Sequence, residues 1–262
     1  MSPWEKLLER PHPAGHLVQF YQADETALAR NVARYAGEGL RQGDGVLLIV
    51  TPEHQELFSG QLSGLNIDVS AAVRDRQLVF SEARRNLTEF MTGGQPDWQH
   101  FEGVIRERMR QVHPTGGAGL RAYGEMVGIL WGERQFAAAI RLEQLWNRLL
   151  DRMSFSLFCS YAIDVFGPEF ESSNLEGVFC AHTHLVPTQP DGTLETALNR
   201  SMDEVLGAEA NALRLLVKAN HPGARAVMPA AESTILWLRK NRPEQAGEIV
   251  ARARRHYELM AQ

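Results

Sequence analysis

A chain of 262 residues can bury a large core without a disulfide or metal staple, and its length suits one large domain with an appendage or two modest domains. Hydrophobic residues make up 44% and charged residues 23%, which is close to the average of soluble globular proteins and excludes wholesale disorder and collagen-like classes. The net charge of −5 excludes a general binder of polyanions, since residues 1–192 carry 17 basic and 24 acidic side chains.

The sequence predicts neither export nor insertion into a membrane. The segment MSPWEKLLERPHPAG lacks the basic region, apolar stretch and cleavage site of a secretory signal. No apolar run approaches the ~20 residues that span a bilayer. The two cysteines, Cys159 and Cys180, are too few for a disulfide framework and fit a reducing compartment. We therefore expect a cytoplasmic protein without membrane contact.

Strand and helix signals alternate over the first two thirds of the chain. GHLVQFY is a short alternating apolar segment, and Asp24 follows where a helix N-cap is expected. Apolar residues then recur at helical spacing up to Leu40, and GVLLIV at 45–50 is typical of a strand buried on both faces. The alternation continues with predicted helices at 53–63, 82–92, 97–112 and 133–152 and predicted strands at 77–80, 120–123 and 154–163. This order predicts an α/β fold with a mostly parallel sheet and helices on both faces.

The composition changes after Pro187. A connector rich in Pro and Gly follows, and the remainder has only helical periodicity, which predicts helices over about 194–217, 229–240 and 243–260. We therefore divide the chain into an N-terminal lead (1–13), an α/β domain (14–188) and a helical output or dimerisation segment (193–262). The apolar stripe of the first C-terminal helix must be buried, either on the chain's own sheet or against a second copy, and we expect a homodimer.

The junction between the first strand and the first helix lacks the chemistry of a phosphate-binding loop. The sequence contains no G-x-x-x-x-G-K-[ST] and no G-x-G-x-x-G motif. At the junction, FYQADE supplies no glycine and no lysine, and its two carboxylates would repel an anion. A G-x-S-x-G nucleophile elbow is also absent. We therefore expect neither ATP hydrolysis nor nucleophilic catalysis, and the sequence identifies no cofactor.

Four separated segments resemble one known family. They are GHLVQFYQADETALARNVARYAGEGLRQGDGVLLIVTPEH, RAYGEMVGILW, LEQLWNRL and FSLFCSYAI, and the similarity extends from about residue 14 to about residue 188. The chain resembles the MEDS domain, the sensory module of methanogens, methylotrophs and the dichloromethane regulator DcmR. The resemblance implies a degenerate relative of the RecA/KaiC-type fold that receives a signal and acts beside helix-turn-helix or histidine-kinase modules. It names no ligand.

The same resemblance indicates candidate ligand-binding residues. Eight positions match the family's motifs, namely His16, Phe20, Tyr21, Glu125, Glu143, Trp146, Asn147 and Tyr161. Because ligands bind at the carboxyl ends of parallel strands, we expect a pocket there that draws on Phe20, Tyr21, Glu125, Glu143 and Asn147. Glu143 and Asn147 share an apolar helix face, so the carboxylate needs a partner or a raised pKa. The alternatives are a structural hydrogen-bonding role for His16 and a core role for Trp146.

Two further patterns are weak candidates for other functions. Cys180, His182 and His184 are spaced i, i+2 and i+4, which in a strand would place ligands for zinc or copper on one face. A fourth ligand is lacking, and the resemblance offers a nonmetal explanation in the family's closing C-x-x-H-x-x-x-P stretch, so we expect no metal site. Basic clusters at 239–242 and 252–256 lack interleaved aromatic residues, which predicts solvated helix faces and no nucleic-acid binding.

Two functions follow from these observations. The first is a non-enzymatic sensory module that binds a small molecule or a partner protein and relays its state through the helical C-terminal segment to a transcriptional or kinase output. The alternative is a RecA-like nucleotide-binding protein or residual ATPase. The missing phosphate loop favours the first.

Overall fold

Six parallel strands form the central sheet of the protein, for which a computed structural model describes residues 3–22, 25–116, 118–187, 192–219 and 227–260. The strands in chain order are β1 (His16–Phe20), β2 (Gly45–Val50), β3 (Leu78–Glu82), β4 (Met91–Thr92), β5 (Gln95–Pro96), β6 (Leu120–Gly124), β7 (Ser156–Tyr161) and β8 (His184–Val186). β4 and β5 form a separate antiparallel hairpin. The order across the main sheet is β3-β2-β6-β7-β1-β8, so the first strand lies between the last two.

Helices cover both faces of this sheet, which confirms the predicted α/β class. They are α1 (Pro3–Glu9), α2 (Thr26–Gln42), α3 (Pro52–Gly64), α4 (Val69–Arg74), α5 (Ala83–Phe90), α6 (Trp98–Arg110), α7 (Met126–Gly132), α8 (Phe136–Leu150), α9 (Ser172–Ala181), α10 (Thr193–Leu206), α11 (Ala210–Ala219), α12 (Ala230–Asn241) and α13 (Pro243–Met260). None of these helices is both long and apolar enough to cross a membrane.

The core is divided by the sheet into two layers. All six residues of β2 are buried, and successive side chains point to opposite sides, as the apolar run GVLLIV predicts. Leu48 packs in the layer formed with α1 to α4, whereas Leu47 and Ile49 pack in the layer formed with α5 to α9. The second layer carries the polar cluster described below.

Several short elements differ from the sequence prediction. Helices α4 and α7 are six and seven residues long, which is too short for an apolar period to be recognised. The predicted helix at 194–217 is divided by a 3-10 turn at Gly207–Glu209, because Gly207 has a φ of 54°. The predicted N-cap Asp24 lies outside the described residues, and Glu25 precedes α2 instead.

The C-terminal helices pack onto the α/β part of the chain. Buried side chains of α10, α12 and α13, including Leu198, Ile235 and Ile249, belong to the same hydrophobic cluster as Leu142 of α8. Most of the apolar stripe predicted in this segment is therefore covered within one chain, although Leu216 is 48% exposed.

Candidate functional site

The structure separates the predicted site residues. His16, Glu143, Asn147 and Tyr161 meet on the α8 side of the sheet, Tyr21 and Glu125 form a strand-end group, and Phe20 and Trp146 are core positions. Glu125 contacts His54, which stacks on Phe58 in the layer of α1 to α4. Glu143 contacts Tyr161 in the opposite layer. The single pocket expected at the carboxyl ends of the strands is therefore not what the structure shows.

The polar cluster, which consists of His16, Glu143, Cys159 and His182, is assembled from four elements on the α8 side of the sheet. His16 opens β1, and Cys159 lies opposite Val18 on the neighbouring strand β7. His16 and Val18 are two residues apart, so the His16 and Cys159 side chains point to the same face. Glu143 projects from α8 onto that face, and His182 directly follows α9. All four side chains are buried.

Hydrogen bonds fix the orientation of the two imidazole rings. His16 Nδ1–H donates to the Asn147 amide oxygen (2.9 Å) and to the Ala181 carbonyl (3.0 Å), and His182 Nδ1–H donates to the Val178 carbonyl (2.7 Å). A carbonyl only accepts, so the hydrogen lies on Nδ1 and leaves each neutral ring with a lone pair on Nε2. Both Nε2 atoms face the Glu143 carboxylate, at 3.4 and 3.3 Å.

Burial favours the uncharged form of every group in this cluster. It raises the pKa of Glu143 to about 8, although Tyr161 donates a 2.5 Å hydrogen bond to Oε1. Burial lowers the pKa of His16 to about 4, against the hydrogen bonds at Nδ1. The pKa of Cys159 is raised, first by burial and then by the neighbouring Glu143. Glu143 thus has both a hydrogen-bond partner and a raised pKa, the two possibilities that its place on an apolar helix face left open.

Two atoms of the cluster are buried without a hydrogen-bond partner, Glu143 Oε2 and His182 Nε2. One ligand atom from each of His16, Glu143, Cys159 and His182 can be chosen so that all lie within 4.8 Å of one another. Imidazole, carboxylate and thiolate are the groups that hold zinc in proteins. This is the part of the described chain that could hold a metal ion.

Only one of the three weak metal candidates belongs to that group. Cys180 lies on α9 and is exposed, and His184 begins β8, so the single strand assumed for the spacing of Cys180, His182 and His184 is wrong. His182 instead meets His16, Glu143 and Cys159, which are remote in sequence. They come together because β1 lies beside β7 in the sheet, an arrangement that spacing along the chain does not reveal.

The strand-end group is held by an ion pair. Glu125 directly follows β6, its Oε1 accepts a hydrogen bond from the backbone N–H of Thr51, and its Oε2 contacts His54 Nδ1. His54 Nε2 also lies 3.2 Å from a carboxylate oxygen of Glu25. Both oxygens of Glu125 are thus engaged within the protein, where they connect α3 to the ends of β2 and β6.

Phe20 and Trp146 occupy the core. The Phe20 ring packs edge-on against Phe170 with its centroid 5.5 Å away, and Trp146 packs edge-on against Phe101 at 5.0 Å. Trp146 is 1% exposed. The core role considered for Trp146 as an alternative is what its surroundings support.

An open groove of about 770 Å³ lies along α7 and α8, and the sequence did not predict it. Its volume is within the range of small-molecule sites. Its lining includes apolar and charged side chains, among them Trp131, Phe136, Ile140, Arg134, Arg141 and Glu169. In the sequence, the groove corresponds only to Phe136 between Arg134 and Arg141. An aromatic residue between two arginines is too common on helix surfaces to indicate a binding site.

The groove and the polar cluster are separated by two aromatic rings. Trp131 lines the groove and packs edge-on against Tyr161, with ring centroids 5.5 Å apart. Tyr161 donates its hydroxyl hydrogen to Glu143. A movement of Trp131 would therefore displace Tyr161 and change its hydrogen bond to the Glu143 carboxylate.

One family model matches this chain, and the matched residues are 15–183. The range contains strands β1 to β7, the groove along α7 and α8, and all four residues of the polar cluster. Among curated proteins, no match to the chain was found. The relationship to RecA-like proteins stays a prediction. Because the model covers more than half of its length, the chain belongs to the MEDS family, described as the methanogen/methylotroph, DcmR sensory domain.

Proposed function

We propose that this protein is a non-enzymatic sensory module whose groove binds a small organic molecule and whose C-terminal helices report the bound state to a transcriptional or kinase partner. Membership of a sensory-domain family supports the general role. The observation that carries the specific proposal is the loop 162–171 between β7 and α9, because it contacts both the groove and the C-terminal helices.

The lining of the groove favours an organic acid as the ligand. Trp131 and Phe136 offer aromatic surface, and Phe136 is 40% exposed. The Arg134 guanidinium lies over the Phe136 ring, 5.7 Å from its centroid, and Arg141 donates a hydrogen bond to Gln144, so both arginines belong to the wall of the groove. An apolar body with one carboxylate would cover the exposed aromatic surface and pair with these guanidinium groups.

The loop 162–171 supplies a physical connection to the C-terminal helices. Glu169 lines the groove. On the other side of the loop, the Arg239 guanidinium of α12 donates hydrogen bonds to the carbonyls of Phe166 (2.9 Å), Gly167 and Phe170. Three carbonyls held by one side chain cannot move independently. A ligand that displaces Glu169 would therefore shift α12 or break these hydrogen bonds.

A second contact strengthens the same connection. Arg254 of α13 lies 3.1 Å from the Asp164 carboxylate, and the Tyr257 ring packs 5.4 Å from the Phe166 ring. Two C-terminal helices, α12 and α13, thus contact the loop directly.

The non-enzymatic part of the proposal is supported by the junction between β1 and α2. Of its described residues, Tyr21, Gln22 and Glu25 offer neither the glycine backbone nor the lysine that phosphate binding uses. Phosphate release from ATP with Mg²⁺ tests this part. Release above the rate of a protein-free blank would contradict it and favour the RecA-like alternative.

A thermal-shift screen tests the groove. The panel contains aromatic and short-chain carboxylic acids, their neutral alcohols, and ATP and ADP, each added to the full chain. A ligand present at 100 times its Kd should add about 2.7 kcal/mol to the free energy of unfolding. We expect the carboxylic acids to raise the Tm more than the matched alcohols, because only they pair with the arginines.

Variants identify the place of binding. The shift should disappear in Phe136→Ala and in Arg141→Ala, and it should persist in Arg74→Ala, which removes an exposed arginine on α4. A shift that Phe136→Ala and Arg141→Ala both retain, or one that only the nucleotides produce, would contradict binding in the groove.

A further inference from the structure

The polar cluster carries a feature that the sensory proposal does not use. We propose that His16, Glu143, Cys159 and His182 bind one divalent cation of the zinc class in a closed site between β1, β7, α8 and α9. This proposal is independent of the groove and of the loop 162–171.

Three separations between ligand atoms are those of a tetrahedral cation site, and one atom from each of the four side chains lies within 4.8 Å of the others. Zinc binds nitrogen, oxygen and sulfur at about 2.0–2.3 Å, which places neighbouring ligand atoms about 3.3–3.7 Å apart. His16 Nε2 lies 3.4 Å from Glu143 Oε2 and 3.4 Å from Cys159 Sγ. His182 Nε2 lies 3.3 Å from Glu143 Oε1. One cation can therefore be reached by all four side chains with small rotations.

The orientation of the lone pairs suits a positive charge between the rings and the carboxylate. Both Nδ1 atoms carry their hydrogen toward carbonyl oxygens, so both Nε2 lone pairs point at Glu143. The Cys159 thiol can donate to His16 Nε2, 3.4 Å away, and this leaves His182 Nε2 facing the carboxylate. Glu143 Oε2 and His182 Nε2 are buried and have no hydrogen-bond partner. Such atoms are costly to bury, and a cation would satisfy both.

The surrounding hydrogen bonds resemble those that orient metal ligands. A metal-bound histidine usually donates its other N–H to a carbonyl or carboxylate. His16 donates to Asn147 and Ala181, His182 donates to Val178, and Tyr161 holds the Glu143 carboxylate. The outer contacts are therefore already in place for all ligands except the thiolate.

The ligand set also selects the metal. Thiolate and imidazole suit zinc and disfavour magnesium and calcium, which prefer oxygen ligands. A thiolate and a carboxylate balance the two positive charges of the ion, so the loaded site is neutral in a buried environment. All four ligands come from the protein and are buried, which leaves no open position for a water nucleophile and indicates a structural or regulatory ion.

Cobalt provides a spectroscopic test on the full chain. The protein is stripped with a chelator and titrated with Co²⁺, and Zn²⁺ is then added in competition. We expect one Co²⁺ per chain, the intense visible bands of tetrahedral cobalt, a near-ultraviolet thiolate-to-cobalt band, and displacement by one equivalent of Zn²⁺.

Variants assign the bands to these residues. Cys159→Ser should lose the thiolate band, while Cys180→Ser, which changes an exposed cysteine, should keep it. Asn147→Ala should keep the band but weaken Zn²⁺ binding about 10–100-fold, since it removes an outer-shell partner of His16. If Cys159→Ser does not fold, Glu143→Gln preserves the side-chain size and should weaken binding at least as much as Asn147→Ala.

Two results would overturn the proposal. The first is a folded wild-type protein that shows neither cobalt bands nor stoichiometric zinc, which would mean that the cluster is a neutral hydrogen-bonded network. The second is a thiolate band that disappears in Cys180→Ser and remains in Cys159→Ser, which would place the ion on the surface of α9.

Discussion

At the scale of single residues, two histidines that lie beside carboxylates have pKa values shifted in opposite directions. Burial alone would lower the pKa of His54, but the hydrogen bond and charge of Glu125, with the charge of Glu25, outweigh it, so its pKa is raised. His16 is more completely buried than His54, and its Nδ1 hydrogen bonds go to neutral groups, so burial lowers the pKa of His16 to about 4. Protonation of His54 therefore stabilises the fold near neutral pH.

This predicts a stability profile that falls with rising pH. Because the folded pKa of His54 lies above the unfolded value of about 6.5, its contribution is complete below about pH 6 and is lost as the pH rises through the folded pKa. Urea unfolding between about pH 6 and about pH 9 measures the slope. His54→Gln should reduce the slope and leave the part that Glu143, with its pKa raised to about 8, contributes over the same range, whereas His100→Gln, at an exposed histidine, should leave the slope unchanged. An unchanged slope in His54→Gln would refute this assignment.

Arg121 is a buried residue that the sequence did not mark as special. Its guanidinium pairs with Asp44 at 2.6 Å and donates to the carbonyls of Leu8, Glu9 and Tyr35. The position of an arginine within a strand does not reveal which residues it will contact. The carbonyls that accept from Arg121 belong to α1 and α2, which are remote in sequence. The burial of Glu143 was predictable from its own helix face, whereas its partners were not, for the same reason.

At the scale of elements, α7 depends on a close approach to β7. A Cβ atom added at Gly128 would lie 2.5 Å from the backbone carbonyl oxygen of Ser160, which cannot move without disturbing the strand. Gly132, at the end of the same helix, has no neighbouring atom within 4 Å of such a position. The two glycines thus form a matched pair.

We expect Gly128→Ala to lower the free energy of unfolding by about 1–3 kcal/mol, since α7 must move away from β7. Gly132→Ala should leave it unchanged or raise it by up to about 1 kcal/mol through helix propensity. Denaturant unfolding of both variants measures the difference. Equal effects at the two positions would show that the contact is not tight.

Long elements could be predicted from the sequence, and short ones could not. Helices such as α2 and α8 have several turns of apolar period, and β2 is a continuous apolar run. The strand β8 has only three residues, which is too short for a sequence pattern, and it forms because its backbone pairs with the exposed edge of β1. The groove along α7 and α8 was missed because it depends on how these helices and the loop 162–171 are placed, which no single element encodes.

At the scale of the whole molecule, the C-terminal helices share a core with the α/β part. A chain that ends after Pro187 would expose the surface that α10, α12 and α13 cover and would remove Arg239 from its three carbonyls. We expect such a chain to aggregate or to lack cooperative unfolding, measured by circular dichroism and dye binding. A soluble truncated chain with a sharp unfolding transition would contradict this view.

The homodimer stays a prediction. Most of the stripe that suggested it is buried within the chain, but Leu216 of that stripe is 48% exposed, and Leu215 of α11 and Leu259 of α13 are 69% and 71% exposed. Light scattering should give twice 29.4 kDa for the full chain and a lower average mass for Leu215→Glu. A wild-type mass of 29.4 kDa would contradict the prediction.

The central claim, that the groove communicates with the C-terminal helices, is tested most directly by hydrogen exchange. The full chain is compared with and without the carboxylic acid that gives the largest thermal shift. We predict altered amide exchange in α7 and α8 and also in α12, with the α12 effect abolished in Arg239→Lys and retained in Arg242→Lys, where the arginine is exposed. Ligand-dependent exchange that is confined to α7 and α8 in the wild-type protein would contradict the account.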